Sequence, residues 1–383
     1  MLDELMRELK SQADPLADKA LADYQQASPA VRALLEQGMR QGVLATDGLP
    51  ESFRRLLQDC EAAVLSVPSK EIDLAMQPYT WIGPTWLSIA LGPGSLAHTY
   101  SDPLIAAVLM RTGNLLSQTV SRRLLETQLW KISVIKPGGM SVGRAGYINT
   151  LQVRLLHARV RATLLQRDWS SPDGQQAVPI DQWQMLRTWL DFTVVPFEAF
   201  DRIGLTLNHE QTQRLYDAWR VVGHLLGIDP TLLSKVTDHA VALELLDVVD
   251  ARLPKPDESS RVLTQAMLVA LGNRLAPIFK LPVDVSMMLM ESLCRLFHGD
   301  EFADRLGMQS NWTRALIPMM ADANRFRMRR MAEDPAYRES IQAQSLKAFD
   351  AIEAGLPDAT VYQEMAKSLT MPELPRVESG DVG

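Results

Sequence analysis

The sequence predicts an all-α fold arranged as a single large helical domain. Three observations carry that reading. Apolar residues recur at three- and four-residue spacing along most of the chain, alternating strand patterns are scarce, and no long polar linker divides it. The 383 residues include 46% hydrophobic and 22% charged side chains, a balance that supports a sizeable core.

Helical periodicity begins near 17–43 and 51–67 and resumes over 103–134, 147–167, 180–203 and 208–226. It continues near 230–252, 257–275, 283–297 and 311–331. Proline and glycine mark "PGGMSVGRAG" (137–146) and "SSPDGQQAVP" (170–179) as connections. "LGPGSLAH" (91–98) also reads as a loop, because no strand precedes its two glycines and no helix is expected after it. The domain is expected to span 1–371, with its core over about 13–330. "PELPRVESGDVG" (372–383) reads as a flexible tail.

A net charge of −7 argues against a nucleic-acid partner, which needs a basic face. The two cysteines, Cys60 and Cys294, form neither a disulfide framework nor a zinc pattern, which suits a reducing compartment. The acidic, amphipathic N-terminus lacks the basic start and apolar run of a signal peptide. No window reaches ~18 uninterrupted apolar residues, so stable membrane insertion is not expected. The expected location is cytoplasmic. The oligomeric state stays open.

Nucleophile-elbow, phosphate-loop, dinucleotide and H-E-x-x-H motifs are absent. Two polar constellations within helices remain. In "VRLLHARVRA" (153–162), Val153, Val160 and Leu164 fall within about 60° of His157 on one side of the helix. Arg154 and Arg161 fall within about 60° on the other side, and Arg159 points away. A neutral imidazole inside an apolar stripe either is a satisfied core residue or binds iron, and a heme brings two carboxylates that want arginine partners. His224, in "WRVVGHLLGID", is the other histidine within an apolar run.

Upstream, "SRRLLETQLW" (121–130) puts Arg123 and Thr127 on one helix face, where Trp130 also falls. The pair either is structural or presents a charge and a hydroxyl to a dry pocket. The Met-rich "VSMMLMESLCRLF" (285–297) reads as core, and "NRFRMRR" (324–330) as a solvated face.

Taken in order, these pieces resemble the latex-clearing protein (rubber oxygenase) family and the related heme oxygenases of mycophenolic acid biosynthesis. The resemblance runs from "ADPLADKALADY" (13–24) through "YSDPLIAAVLMRTGNLL" (100–116), "RRLLETQLW", "VRLLHARVR" and "VPIDQW" (178–183) to about residue 250. Its most specific element is the pair Arg123 and Thr127 set ahead of His157. The resemblance implies a globin-like core with additional helices, a b-type heme and O2 as co-substrate. It implies that His157 is the proximal iron ligand, that Arg123 and Thr127 lie on the distal side, and that Arg154 and Arg161 serve the heme propionates. The implied reaction is oxidation of a small hydrophobic, unsaturated or aromatic substrate, with cleavage of a carbon–carbon double bond to carbonyl ends.

Two positions depart from the rubber-cleaving pattern. An ungapped count to the family's distal glutamate reaches Ala107, with Asp102 the nearest acid upstream. Where some members carry a lysine that caps the iron, this chain has Glu126, an acid placed to serve as a proton donor or acceptor. Hydroxylation, a heme-binding sensor or carrier, and a cofactor-free helical interaction protein are the alternatives that the residues leave open.

Overall fold

Short polar side chains set where the helices begin. In the computed structural model, Asp14 accepts the Ala17 N–H ahead of Pro15, and Ser28 accepts the Val31 N–H ahead of Pro29. Asp181, Asp238, Asp257 and Asp334 cap the helices that follow them, and Asn208 closes a reciprocal capping box with Gln211. Each such cap satisfies backbone donors that the first turn leaves unpaired. The structure describes residues 2–112, 117–167 and 178–355, together with Trp169 and Thr360. Among these residues the regular structure is helical throughout, with no strand, as the sequence predicts.

Two antiparallel pairs frame the interior. Ser117–Ile135 packs on Ala145–Leu165, and Glu258–Phe279 packs on Val283–His298. The first pair is joined by the glycine-rich connection anticipated at 137–146. There Gly143 holds φ +79°, and a Cβ on Gly146 would lie 2.5 Å from the Ser133 carbonyl oxygen. Only a residue without a side chain permits that close approach. Gln182–Arg202 runs through the centre with nearly every side chain buried. It contacts the segment at Ala90–Leu96 and the helix His239–Asp250.

Two departures from the sequence reading concern the chain between and beyond the expected helices. "LGPGSLAH" is not a loop. Ala90–Leu96 is a fully buried π-helical segment that continues into the helix Ala97–Tyr100. Gly92 lets the Leu271 side chain approach to where a Cβ would lie 2.4 Å from its Cδ2, and Pro93 lacks the N–H that α-helical pairing would use. Beyond the expected core, the helix Pro335–Ala354 packs on Pro78–Ile82. Phe349 is fully buried, and Lys136 reaches Asp350 and Glu353 at 2.6 and 2.7 Å. The tail at 372–383 lies outside the described residues.

The Met-rich helix is core, with Leu289, Met290, Leu293, Cys294 and Phe297 buried. Among the described residues, one helix, Glu258–Phe279, is long and apolar enough to cross a membrane by length and composition, although it holds no uninterrupted apolar run of that length. It packs on Val283–His298 and Ser117–Ile135, which bury about half of it. Because Phe349 anchors the C-terminal helix, Phe349→Ala is expected to lower stability by about 3–5 kcal/mol, read from denaturant unfolding.

Candidate active site

The histidine helix, Ala145–Leu165, and the arginine helix, Ser117–Ile135, share a cavity of about 330 Å³ with Gln182–Arg202. Val153, Leu156 and Val160 line it from the histidine helix, and Ile105, Val108 and Leu109 from the preceding chain. Trp130, Trp189, Phe192 and Trp219 supply aromatic walls. Into this apolar space come His157, Arg123, Glu126 and Thr127. Four of the six residues singled out in the sequence therefore meet in one chamber.

His157 lies among apolar side chains, and its remaining accessible surface borders the cavity. Burial, reinforced by the nearby Arg161 charge, pushes its pKa down to about 4, so the imidazole is neutral. Nδ1 is buried with no hydrogen-bond partner, which leaves Nε2 as the nitrogen with access to the cavity. A satisfied core histidine would have a partner. This one has the form of a ligand.

Thr127 donates its hydroxyl proton to the Arg123 carbonyl oxygen at 2.9 Å, the helix back-bond expected of a structural threonine. Its side chain also lines the cavity. Arg123 donates to the Leu109 carbonyl oxygen at 3.4 Å and keeps most of its donors for other acceptors. Glu126 is buried, lines the cavity and accepts from Arg122 Nε at 3.0 Å. Asp102 does not reach the cavity. It is fully buried, caps the next turn through Leu104 N–H at 2.8 Å, and has its pKa raised by burial. Glu126 is the acid at the chamber.

Arg154 and Arg161 stand apart from the four cavity residues. Neither lines the cavity, and both are engaged by carboxylates on the other side of their helix. Arg154 binds Asp14 through two bonds at 2.6 and 2.9 Å, reaches Asp59 at 3.1 Å and contacts Cys60 Sγ at 3.3 Å. Arg161 binds Asp18 at 2.7 Å and the Ile180 carbonyl oxygen at 2.8 Å. Seven residues apart on one helix face, the two arginines fasten the histidine helix to Pro15–Gln26. Spacing alone could not separate acids supplied by another helix from acids supplied by a ligand. Arg159, read as pointing away, is buried, and burial lowers its pKa. His224 pairs with Asp59 at 3.0 Å, which leaves His157 as the unpartnered imidazole of the two.

Residues 81–331 match the sequence model of the family described as "ER-bound oxygenase mpaB/B′/Rubber oxygenase, catalytic domain". The chain belongs to that oxygenase family. The chain is 22% identical over 288 residues to the rubber oxygenase of Streptomyces sp. (strain K30), a match covering 73% of the chain and 66% of that relative. Its fold is similar to that of latex clearing protein in the closed state, with a TM-score of 0.64 and 20% identity. That alignment covers 89% of this chain and 90% of the other.

The chain also holds groups that its sequence does not single out. Lys131, one turn beyond Thr127, is fully buried behind the aromatic wall, with Nζ 4.6 Å from the Trp219 ring centre and 5.0 Å from that of Tyr79. Burial lowers its pKa to about 7. A lysine four residues after Thr127 and beside a tryptophan was the available signal.

Next to the cavity residue Thr99, His98 bridges Asp191 at 2.7 Å and Asp250 at 2.9 Å. Arg187 reaches Asp191 at 3.2 Å, and His298 stacks on His98 at 5.2 Å between ring centres. Two cations thus face two carboxylates. The sequence singles out neither His98 nor His298. Their partners come from elements about a hundred residues away or more, so no local pattern marks them.

Removing Arg154 strands the buried Asp14 carboxylate, so Arg154→Ala is expected to cost about 3–5 kcal/mol in denaturant unfolding. Burial works against the His98 imidazolium, but Asp191 and Asp250 outweigh it and raise the pKa from 6.5 to about 9. The resulting stability is complete below pH 6.5 and is lost as pH rises through about 9. Thermal unfolding of wild type should therefore decline across that window, and Asp191→Asn should flatten the decline.

Proposed function

We propose that this protein is a heme b-dependent oxygenase that cleaves a carbon–carbon double bond of a small hydrophobic substrate, using O2. The observation that supports the reading most is the unpartnered, neutral His157 on the wall of an apolar chamber that also holds Arg123, Glu126 and Thr127. The residues fit the cofactor in two respects. A neutral imidazole with a free nitrogen is an iron ligand, and aromatic and aliphatic walls suit a porphyrin and an alkene.

His157 would hold the iron through Nε2. Bound heme supplies the redox-active iron at which O2 reacts. The chain's own groups do the rest. Arg123 donates N–H bonds to oxygen carrying developing negative charge, in a dry site where such bonds are strong. Glu126 holds or moves a proton at its carboxylate, with Arg122 setting its orientation. The walls formed by Trp130, Trp189 and Phe192 exclude water and align the hydrocarbon. In the overall reaction the double bond breaks and each carbon takes one oxygen atom of O2, leaving two carbonyl ends. The cytoplasmic setting and the absence of a nucleic-acid partner are part of this proposal and rest on the sequence. Arg154 and Arg161 are not proposed as propionate partners.

The optical spectrum of the purified protein, with and without reductant and CO, tests the cofactor. His157→Ala is expected to lose stoichiometric heme while keeping its helical circular dichroism. Heme retained in that variant would move the ligand elsewhere. Arg123→Ala is expected to keep the Soret band and lose about 10²–10³ in turnover of an unsaturated terpenoid or lipid.

A further inference from the structure

A second chamber, of about 410 Å³, adjoins the first, and Leu96 and Thr127 line both. It lies between the arginine helix, the helix Glu258–Phe279 and the π-helical segment. Leu91, Leu124 and Leu271 make most of it apolar, and the exposed Asn273 at its rim brings it to solvent.

Arg274 is the charged side chain in its wall. Its guanidinium donates to Ser88 Oγ at 3.4 Å and, among the described residues, pairs with no carboxylate. Burial lowers its pKa, a sign that the charge is poorly solvated. Beside it, Gln128 donates to the same Ser88 oxygen at 3.0 Å, while Ser88 gives its own proton to the Pro84 carbonyl oxygen at 2.7 Å. Gln128 Oε1 is left buried without a donor. The chamber therefore combines a desolvated cation lacking a counter-ion with an unsatisfied acceptor. Both are costly unless something binds there.

We infer that this chamber is the head-group pocket for an amphipathic substrate whose carboxylate binds Arg274, while its unsaturated tail passes Leu96 and Thr127 into the His157 chamber. The inference rests on the proposed function and names the substrate class for the same site. A planar carboxylate accepts two parallel bonds from a guanidinium. One water donating to both the carboxylate and Gln128 Oε1 satisfies the remaining acceptor. Charge favours this head group over a diphosphate, because Arg274 neutralises a single negative charge. The polar end would stay at the rim beside Asn273 and the double bond would travel inward.

Calorimetric titration of the full-length protein with oleate, methyl oleate and oleyl alcohol tests the pocket. Wild type is expected to bind oleate about 10- to 100-fold more tightly than the two neutral analogues. Arg274→Gln should erase that preference and leave methyl oleate affinity unchanged, whereas Arg274→Lys should keep part of it. Circular dichroism would verify that both variants fold. Equal binding of oleate and methyl oleate by wild type, or a preference that survives in Arg274→Gln, would overturn the inference. A preference dependent on Arg274 in a protein that takes up no heme would sink the oxygenase reading and retain the pocket. Heme uptake without the preference would do the reverse.

Discussion

The orientation of one helix governs the chamber, and two ion pairs made by buried arginines set it. Arg154 and Arg161 lie two turns apart on the same face of Ala145–Leu165, and both are held by acids at the start of Pro15–Gln26. Asp14 acts twice, capping its own helix and gripping Arg154 from two oxygens. With that face fixed, rotation about the helix axis is blocked, and His157, about 60° round, is committed to the cavity. A buried arginine–carboxylate pair contributes little net stability over an apolar replacement, but it specifies a single register. Register is what a lone ligand requires.

The same economy extends to the chamber walls. The aromatic residues come from four different helices, while Arg123, Glu126 and Thr127 come from one short stretch of the arginine helix. The network of His98, Asp191, Asp250 and Arg187 ties the chain around Thr99 to the central helix, so the wall opposite is equally constrained. The π-helical segment, with Leu96 on the boundary between the two chambers, is pinned from outside by His298. That ring bonds the Pro93 and Gly94 carbonyl oxygens at 3.0 Å.

Much of this was legible in the sequence because it is local. Helical periodicity is a property of short windows, and most of the helices follow from it, whereas the meeting of Arg123, Thr127 and His157 was implied by the family resemblance rather than by their spacing. What the sequence withheld depends on contacts between distant elements. Arg154 and Arg161 look alike whether their anion is a ligand or Asp14 and Asp18, because a charge on a helix face does not name its partner. The π-helical turn was hidden for a similar reason. Gly92 and Pro93 signal a break in α-helix, yet only the close approach of Leu271 explains why the chain stays wound and buried. The shared boundary at Leu96 and Thr127, and the isolation of Arg274 from any acid among the described residues, are likewise properties of the assembled helices.

The clamp on the histidine helix has a chemical effect on sulfur. Cys60 sits fully buried against Arg154, and desolvation outweighs that cation to push its thiol up to about 12. Burial likewise raises Cys294, the second of the chain's two cysteines. Oxidants attack the thiolate, and they attack it where they can reach it. Protonated and enclosed, both sulfhydryls of this oxygenase-family chain are poor targets for thiol oxidation.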